Sequence, residues 1–283
     1  MPPTVLVPLD GSDKDARALA VAVDFAHVAD AALHLVRVLD PLAGGAPSAP
    51  TQSRSAVERG LREAAEHLIT ASGGHAATWE VLDGPDVAGV LLGRAGAMNA
   101  IATVMATQAP RAVDRAIHGS VADRVVREGT RPVVLVPPQA DYLRGRQLRL
   151  RRALVPLDGT DASLAVLAHI LAFPRARELE LVLLQVVLPD LRRVAAERAA
   201  RELDVVAERA RAAGATAEVR ISEARDPAVA IVDAIRHELV DVVAMRTRGA
   251  GGVERMVLGS VATTVVRASE VPVFLVPPGA IAS

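Results

Sequence analysis

Between Met245 and Ser260 the chain reads MRTRGAGGVERMVLGS, in which Gly249, Gly251 and Gly252 are followed by Gly259-Ser260-Val261. Glycines tolerate positive φ and let backbone N–H groups come close to an anion. Such a loop leading into a helix N-terminus favours negative charge, so the chemistry this spacing suits is phosphate binding. Arg246 and Arg248 add cationic side chains at its start. A second chemical feature is Asp158, which follows Pro156 and Leu157. A carboxylate there accepts hydrogen bonds from vicinal hydroxyls, as an acidic residue does at a ribose. The two features together point to a nucleotide rather than free phosphate.

Each feature also has a plainer reading. Asp158-Gly159 and Asp10-Gly11 are turn pairs. A Gly-Ser pair is a common helix start, with Ser260 the candidate N-cap. Arg246 and Arg248 suit a solvated loop, and Met245 suits core filling.

The elements that must position these residues come from hydrophobic patterning. Short apolar, β-branched runs predict strands at Val5–Leu9, Leu33–Leu39, Ala77–Leu82, Ile101–Ala106 and Val133–Val136. A second set falls at Ala153–Leu157, Glu180–Val187, Thr216–Ile221, Val240–Met245 and Val273–Val276. Amphipathic runs between them predict helices, one starting at Asp226-Pro227 and one near Ser12, which precedes Asp15 in a capping-box-like spacing. Alternation of this kind predicts an α/β fold with a doubly wound, mostly parallel five-stranded sheet in each half, and ligands bind beyond the carboxyl ends of such strands.

The halves repeat. TVLVPLDGS, from Thr4, returns as RALVPLDGT, from Arg152, and GSVADRVVR, from Gly119, returns as GSVATTVVR, from Gly259. The expected division is a first domain at 1–140, a linker at 141–150 and a second domain at 151–283. In the first copy's loop Ala109 stands where the second has Gly249, and Pro110 beside it removes a backbone donor. A residue there that needs positive φ would cost on the order of 1 kcal/mol without glycine, so the first site, Asp10, Val38, Gly119 and Ser120, reads as degenerate.

Composition narrows the function. With 32 basic and 33 acidic side chains and 2% aromatic residues, the chain offers nucleic acid neither a basic surface nor stacking platforms. Without cysteine there are no disulfides or thiolate nucleophiles, and the seven histidines lack metal-ligand spacing, so no side-chain metal site is expected. No apolar run reaches membrane-spanning length and the start lacks a signal-peptide pattern, so a cytoplasmic location without membrane partners is expected.

On these motifs the chain resembles a tandem universal stress protein. Nucleotide-binding members carry Gly, two residues, Gly, nine residues, then Gly-Ser or Gly-Thr. Gly249, Gly259 and Ser260 match, while Arg246 replaces the first glycine. The resemblance further implies an acidic ribose contact at Asp158 with Pro156 and Leu157 leading into it, and an adenine contact at Val186. It implies ATP, with Mg²⁺ as companion, held also by Met245, Arg246, Arg248 and Val261, in a stress-response or signalling regulator. Arg246 either crowds the ribose or adds charge beside Arg248 for the phosphates. Two alternatives stay open. One is a slow ATP hydrolase or phosphotransferase using Glu254 or Ser260, although no Gly-x-x-x-x-Gly-Lys loop is present. The other is a ligand-free scaffold whose halves mimic the dimer that single-domain relatives form through their last strands, with Pro272–Pro278 as such an edge and a homodimer left open.

Overall fold

In the computed structural model, residues 2–41, 53–107, 120–140, 150–190, 193–247 and 258–280 are described. The first half runs β1 (Thr4–Pro8), α1 (Asp15–Ala29), β2 (Ala32–Leu39), α2 (Arg54–Ala71), β3 (Ala77–Asp83), α3 (Val87–Ala97), β4 (Ala102–Ala106), α4 (Ser120–Glu128) and β5 (Val133–Val136). The second repeats it as β6 (Arg152–Leu157), α5 (Asp161–Leu171), β7 (Glu180–Val187), α6 (Arg193–Ala212), β8 (Thr216–Glu223), α7 (Pro227–His237), β9 (Val242–Arg246), α8 (Ser260–Ala268) and β10 (Val273–Val276). The strands form where buried β-branched and leucine side chains run together, and the central ones are covered on both faces, as parallel strands require.

All ten strands form one sheet in the order β3-β2-β1-β4-β5-β10-β9-β6-β7-β8. Each half is parallel within itself and reverses its winding beside its first strand, so β1 pairs with β4 and β6 pairs with β9. Ligand crevices of doubly wound sheets lie at such switch points, past the carboxyl ends of the strands. The halves meet through β5 and β10, which pair antiparallel with Phe274 opposite Val134. The last strands of the two halves thus pair through the Pro272–Pro278 segment, as expected for halves that meet there, and β10 lies between β5 and β9 in the middle of the sheet.

The antiparallel seam sets equivalent helices on the same face. One core packs Val21 and Phe25 of α1, Leu61 of α2, Val166 of α5 and Leu203 of α6. The other packs Leu91 of α3, Val125 of α4, Ile231 of α7 and Val265 of α8. Among the described residues, no helix is long and apolar enough to cross a membrane.

Two helix starts differ from expectation. Helix α1 begins at Asp15 after Lys14, which caps nothing with its side chain. The Asp15 carboxylate reaches back to the Asp10 and Gly11 N–H groups instead of completing a box with Ser12. The N-cap of α8 is Gly259, and Ser260 is its first helical residue. At α7, Asp226 does cap, accepting from the Ala228 N–H at 2.8 Å with Pro227 in the first turn.

Candidate functional site

In the second half the pairing of β6 with β9 brings Pro156-Leu157-Asp158 beside Met245-Arg246-Thr247. The chain returns to this point at α8, where the Gly259 N–H donates to the Thr247 carbonyl at 2.8 Å. That bond removes Gly259 from the set of phosphate donors. The N–H groups of the first helical turn, Ser260, Val261 and Ala262, have no acceptor within their own helix, so they are what α8 can offer an anion. Asp158, exposed, accepts through Oδ1 from the Thr160 N–H at 3.1 Å and the Thr160 hydroxyl at 2.6 Å. Thr160 in turn caps α5 by accepting from the Ser163 N–H. The turn reading of Asp158 is thus present in the fold together with its position at the switch point. Gly159 takes φ +79° there and Gly11 takes φ +77°, the left-handed region that disfavours a side chain.

Strand alternation sorts the expected residues onto two faces. Met245 is buried in the α7/α8 core, and Val186 and Val261 pack against it. Leu157, 4% exposed, lies in the opposite core, so only its backbone borders the switch point. Arg246 ends β9 on the side of α5. Its first-half counterpart, Ala106, packs against the α1/α5 core and borders the cleft at that half's switch point, and the Arg246 charge adds to burial in lowering the imidazole pKa of His169 on α5. The Arg246 Nε is buried without a hydrogen-bond partner among the described residues. The strand's pleat turns this side chain toward α5. Arg248, Gly249 and Gly119 lie outside the described residues, as does the side chain of Ser120. Among the described residues no cluster of His, Cys, Asp and Glu is arranged for a metal ion.

The first half holds a cleft of about 470 Å³ at its own switch point, lined by Val36, Val38, Leu91, Met105 and Val121, with Asp10, Lys14, Asp15 and Arg37 at its rim. Asp10 accepts from the Ser12 N–H at 3.0 Å and is ion-paired with Lys14. Burial pushes its pKa up, but Lys14 and Ser12 outweigh that and hold the carboxyl below its ordinary value. The Asp15 carboxyl lies above its ordinary value, raised by burial and by the charge of Asp10 against two backbone N–H bonds and Arg37.

The sequence model of the Universal stress protein family matches residues 1–137 and again 149–277. The chain belongs to the universal stress protein family. It is similar to a universal stress protein from Archaeoglobus fulgidus DSM 4304, at 22% identity and TM-score 0.69, covering 98% of each chain. It is also similar to a putative universal stress protein from Pseudomonas aeruginosa UCBPP-PA14, at 14% identity and TM-score 0.70, covering 98% of this chain and 94% of that one. No curated protein matches significantly. These neighbours share the two-domain arrangement of this universal stress protein from end to end. Of the rim residues of its first half, Asp15 was marked only as a helix-start residue, and Lys14 and Arg37 had no signal in the sequence motifs. Only comparing the halves position by position exposes them, since Asp15 and Arg37 stand where the second half has Ser163 and Gln185.

Proposed function

We propose that this universal stress protein binds ATP in its second half and acts as a nucleotide-dependent stress or signalling regulator. The carrying observation is the convergence at one point of the β6 terminus, the β9 terminus and the start of α8, joined by the bond from Gly259 to Thr247. In this reading the α7/α8 face near Val186 takes the base, and Asp158 accepts hydrogen bonds from the ribose hydroxyls. The N–H groups of Ser260 and Val261 meet the phosphates at the helix N-terminus, where partial positive charge favours them. Mg²⁺ accompanies the phosphates and is assigned no side-chain ligand. The hydrolytic alternative rests on Glu254, outside the described residues, or on Ser260, the first residue of α8, and is not carried forward.

The test is calorimetry on nucleotide-stripped protein. ATP binds, and Asp158→Ala weakens it about tenfold or more, the loss of a hydrogen bond to a charged group being worth roughly 1.5–3 kcal/mol. Absence of binding by a folded protein overturns the proposal.

A further inference from the structure

The ten-stranded sheet ends in two edges, β3 and β8, which differ in how their backbone is covered. At β8 the Thr216 N–H donates to the Leu179 carbonyl and the Ala224 N–H to the Val187 carbonyl, so the even-numbered residues turn their backbone groups toward β7. At β3 the Ala76 carbonyl accepts from the Leu33 N–H and the Gly84 N–H donates to the Leu39 carbonyl, which turns the even-numbered residues toward β2. The odd-numbered residues of both strands therefore present their N–H and C=O groups outward, where an added strand would bond.

At β8 guanidinium groups take these outward carbonyls. Arg211 Nη2 donates to the Ala217 carbonyl at 2.6 Å, and Arg220 Nη1 donates to the Val219 carbonyl at 3.0 Å. At β3 the covered carbonyl is that of Val81, toward the carboxyl end, which accepts from Arg54 Nη2 at 2.9 Å. The carbonyls of Ala77 and Trp79 accept no hydrogen bond among the described residues. The cause lies in the sequence, since Ala71 and Glu80 stand where the second half has Arg211 and Arg220. The open stretch is also self-complementary. With a twofold axis at Thr78, Ala77 of one copy lies opposite Trp79 of the other, and each such pair exchanges both N–H···O bonds. The two Thr78 residues then face one another and Glu80 falls opposite Ala76, so no like charges meet. On the α2 side the Trp79 ring, with Arg62 Cζ 5.6 Å from its centre, lies against an alanine. Ala77 begins β3, so pairing there leaves the crevices at the carboxyl ends of the strands open.

We propose that the first-half edge, from Ala77 to Trp79, binds a second copy of this chain by antiparallel strand addition, while Arg211 and Arg220 close the second-half edge to the same reaction. A contact this short holds weakly, and its isologous geometry stops at two copies.

The experiment is sedimentation velocity on the full chain over roughly 1 to 300 μM, the range in which a contact well below standard interface size becomes populated. The mass is expected to rise with concentration toward twice that of the chain and to stop there. Hydrogen–deuterium exchange at the two ends of that range should slow in residues 77–79 and stay the same in 217–219. Ala71→Arg, at an exposed position, sets a guanidinium below β3 where Arg211 stands below β8. It should weaken association at least tenfold with the circular dichroism unchanged. Should that variant not fold, the exchange result decides alone. A mass that does not rise, a rise that Ala71→Arg leaves intact, or slowed exchange that is missing at 77–79 or present at 217–219 overturns the proposal.

Discussion

At the scale of single residues, His169 shows how a charged neighbour acts on a buried imidazole. It is 5% exposed on α5, its Nε2 lies 3.3 Å from the Ala280 carbonyl, and Arg246 stands nearby. Burial first, and the Arg246 charge after it, hold its pKa below the ordinary 6.5, while the bond to Ala280 works the other way. As pH falls through 6.5 the unfolded chain takes up a proton that the folded chain refuses, so stability is lost toward the depressed folded value. Val21 holds the corresponding place in α1. His169→Val should therefore give a shallower decline in unfolding free energy than the unaltered protein between about pH 7.5 and pH 5.5, measured by denaturant titration. Identical pH dependence would exclude the role. The left-handed turn offers a second measurement: Gly159→Ala should destabilise by about 1–2 kcal/mol, since φ +79° forces its Cβ toward a backbone oxygen. Both Asp-Gly turns were legible in the sequence because a dipeptide carries the signal. The direction of Arg246 was not, because it depends on which side of the pleat the strand's last residue falls.

At the scale of elements, a charged network binds the amino ends of β6, β7 and β8 to the end of α7. Arg152 contacts Glu180, Glu218 at 3.2 Å and Glu238 at 3.0 Å, and Arg220 reaches Glu238 at 2.8 Å and Glu218 at 2.7 Å. Burial pushes the Glu238 carboxyl up, but the two guanidinium groups outweigh it and hold it below its ordinary range. The first half solves the same junction with buried His34, bonded to Thr78 at 2.7 Å and to Glu80, which Arg94 also contacts. Arg152→Met should cost about 1–3 kcal/mol, because three partly buried carboxylates lose a shared partner. Arg198→Ala, which removes an exposed helical pair with Glu202, should leave the midpoint unchanged within error. A smaller loss from Arg152→Met than from Arg198→Ala would contradict the network. The strands themselves were readable to within about two residues, since apolar runs bounded by Gly, Pro and Asp mark their ends. The starts of α1 and α8 were not, because a serine near a helix start competes with whichever backbone group the preceding strand has already satisfied. At α8 that group is the Gly259 N–H, taken by Thr247.

At the scale of the molecule, the decisive feature is the seam that turns two five-stranded sheets into one of ten. The repeat told of two similar halves, and only the family resemblance suggested that they meet through their last strands, because Val133–Val136 and Val273–Val276 read as buried strands whatever their partner. The three phenylalanines of the chain all gather there: Phe25 of α1 lies 5.3 Å from Phe173 and 5.5 Å from Phe274, ring centroid to centroid. Polar bonds follow the same line, with the Arg175 N–H donating to the Val28 carbonyl at 3.1 Å and His27 3.5 Å from Glu178. Phe25 and Val28 come from the first half and Phe173, Arg175 and Phe274 from the second, so neither half completes this core alone. Cooperativity should therefore span both halves, and calorimetric and van't Hoff enthalpies should agree for one transition of the whole chain. Phe274, 2% exposed at the centre of the cluster, is the residue whose loss tests this. Phe274→Ala should cost about 3–5 kcal/mol by transfer and cavity formation, and because the cavity opens between the halves, the single transition should split or broaden. A large loss of stability with the two enthalpies still equal would mean that β5–β10 pairing alone couples the halves.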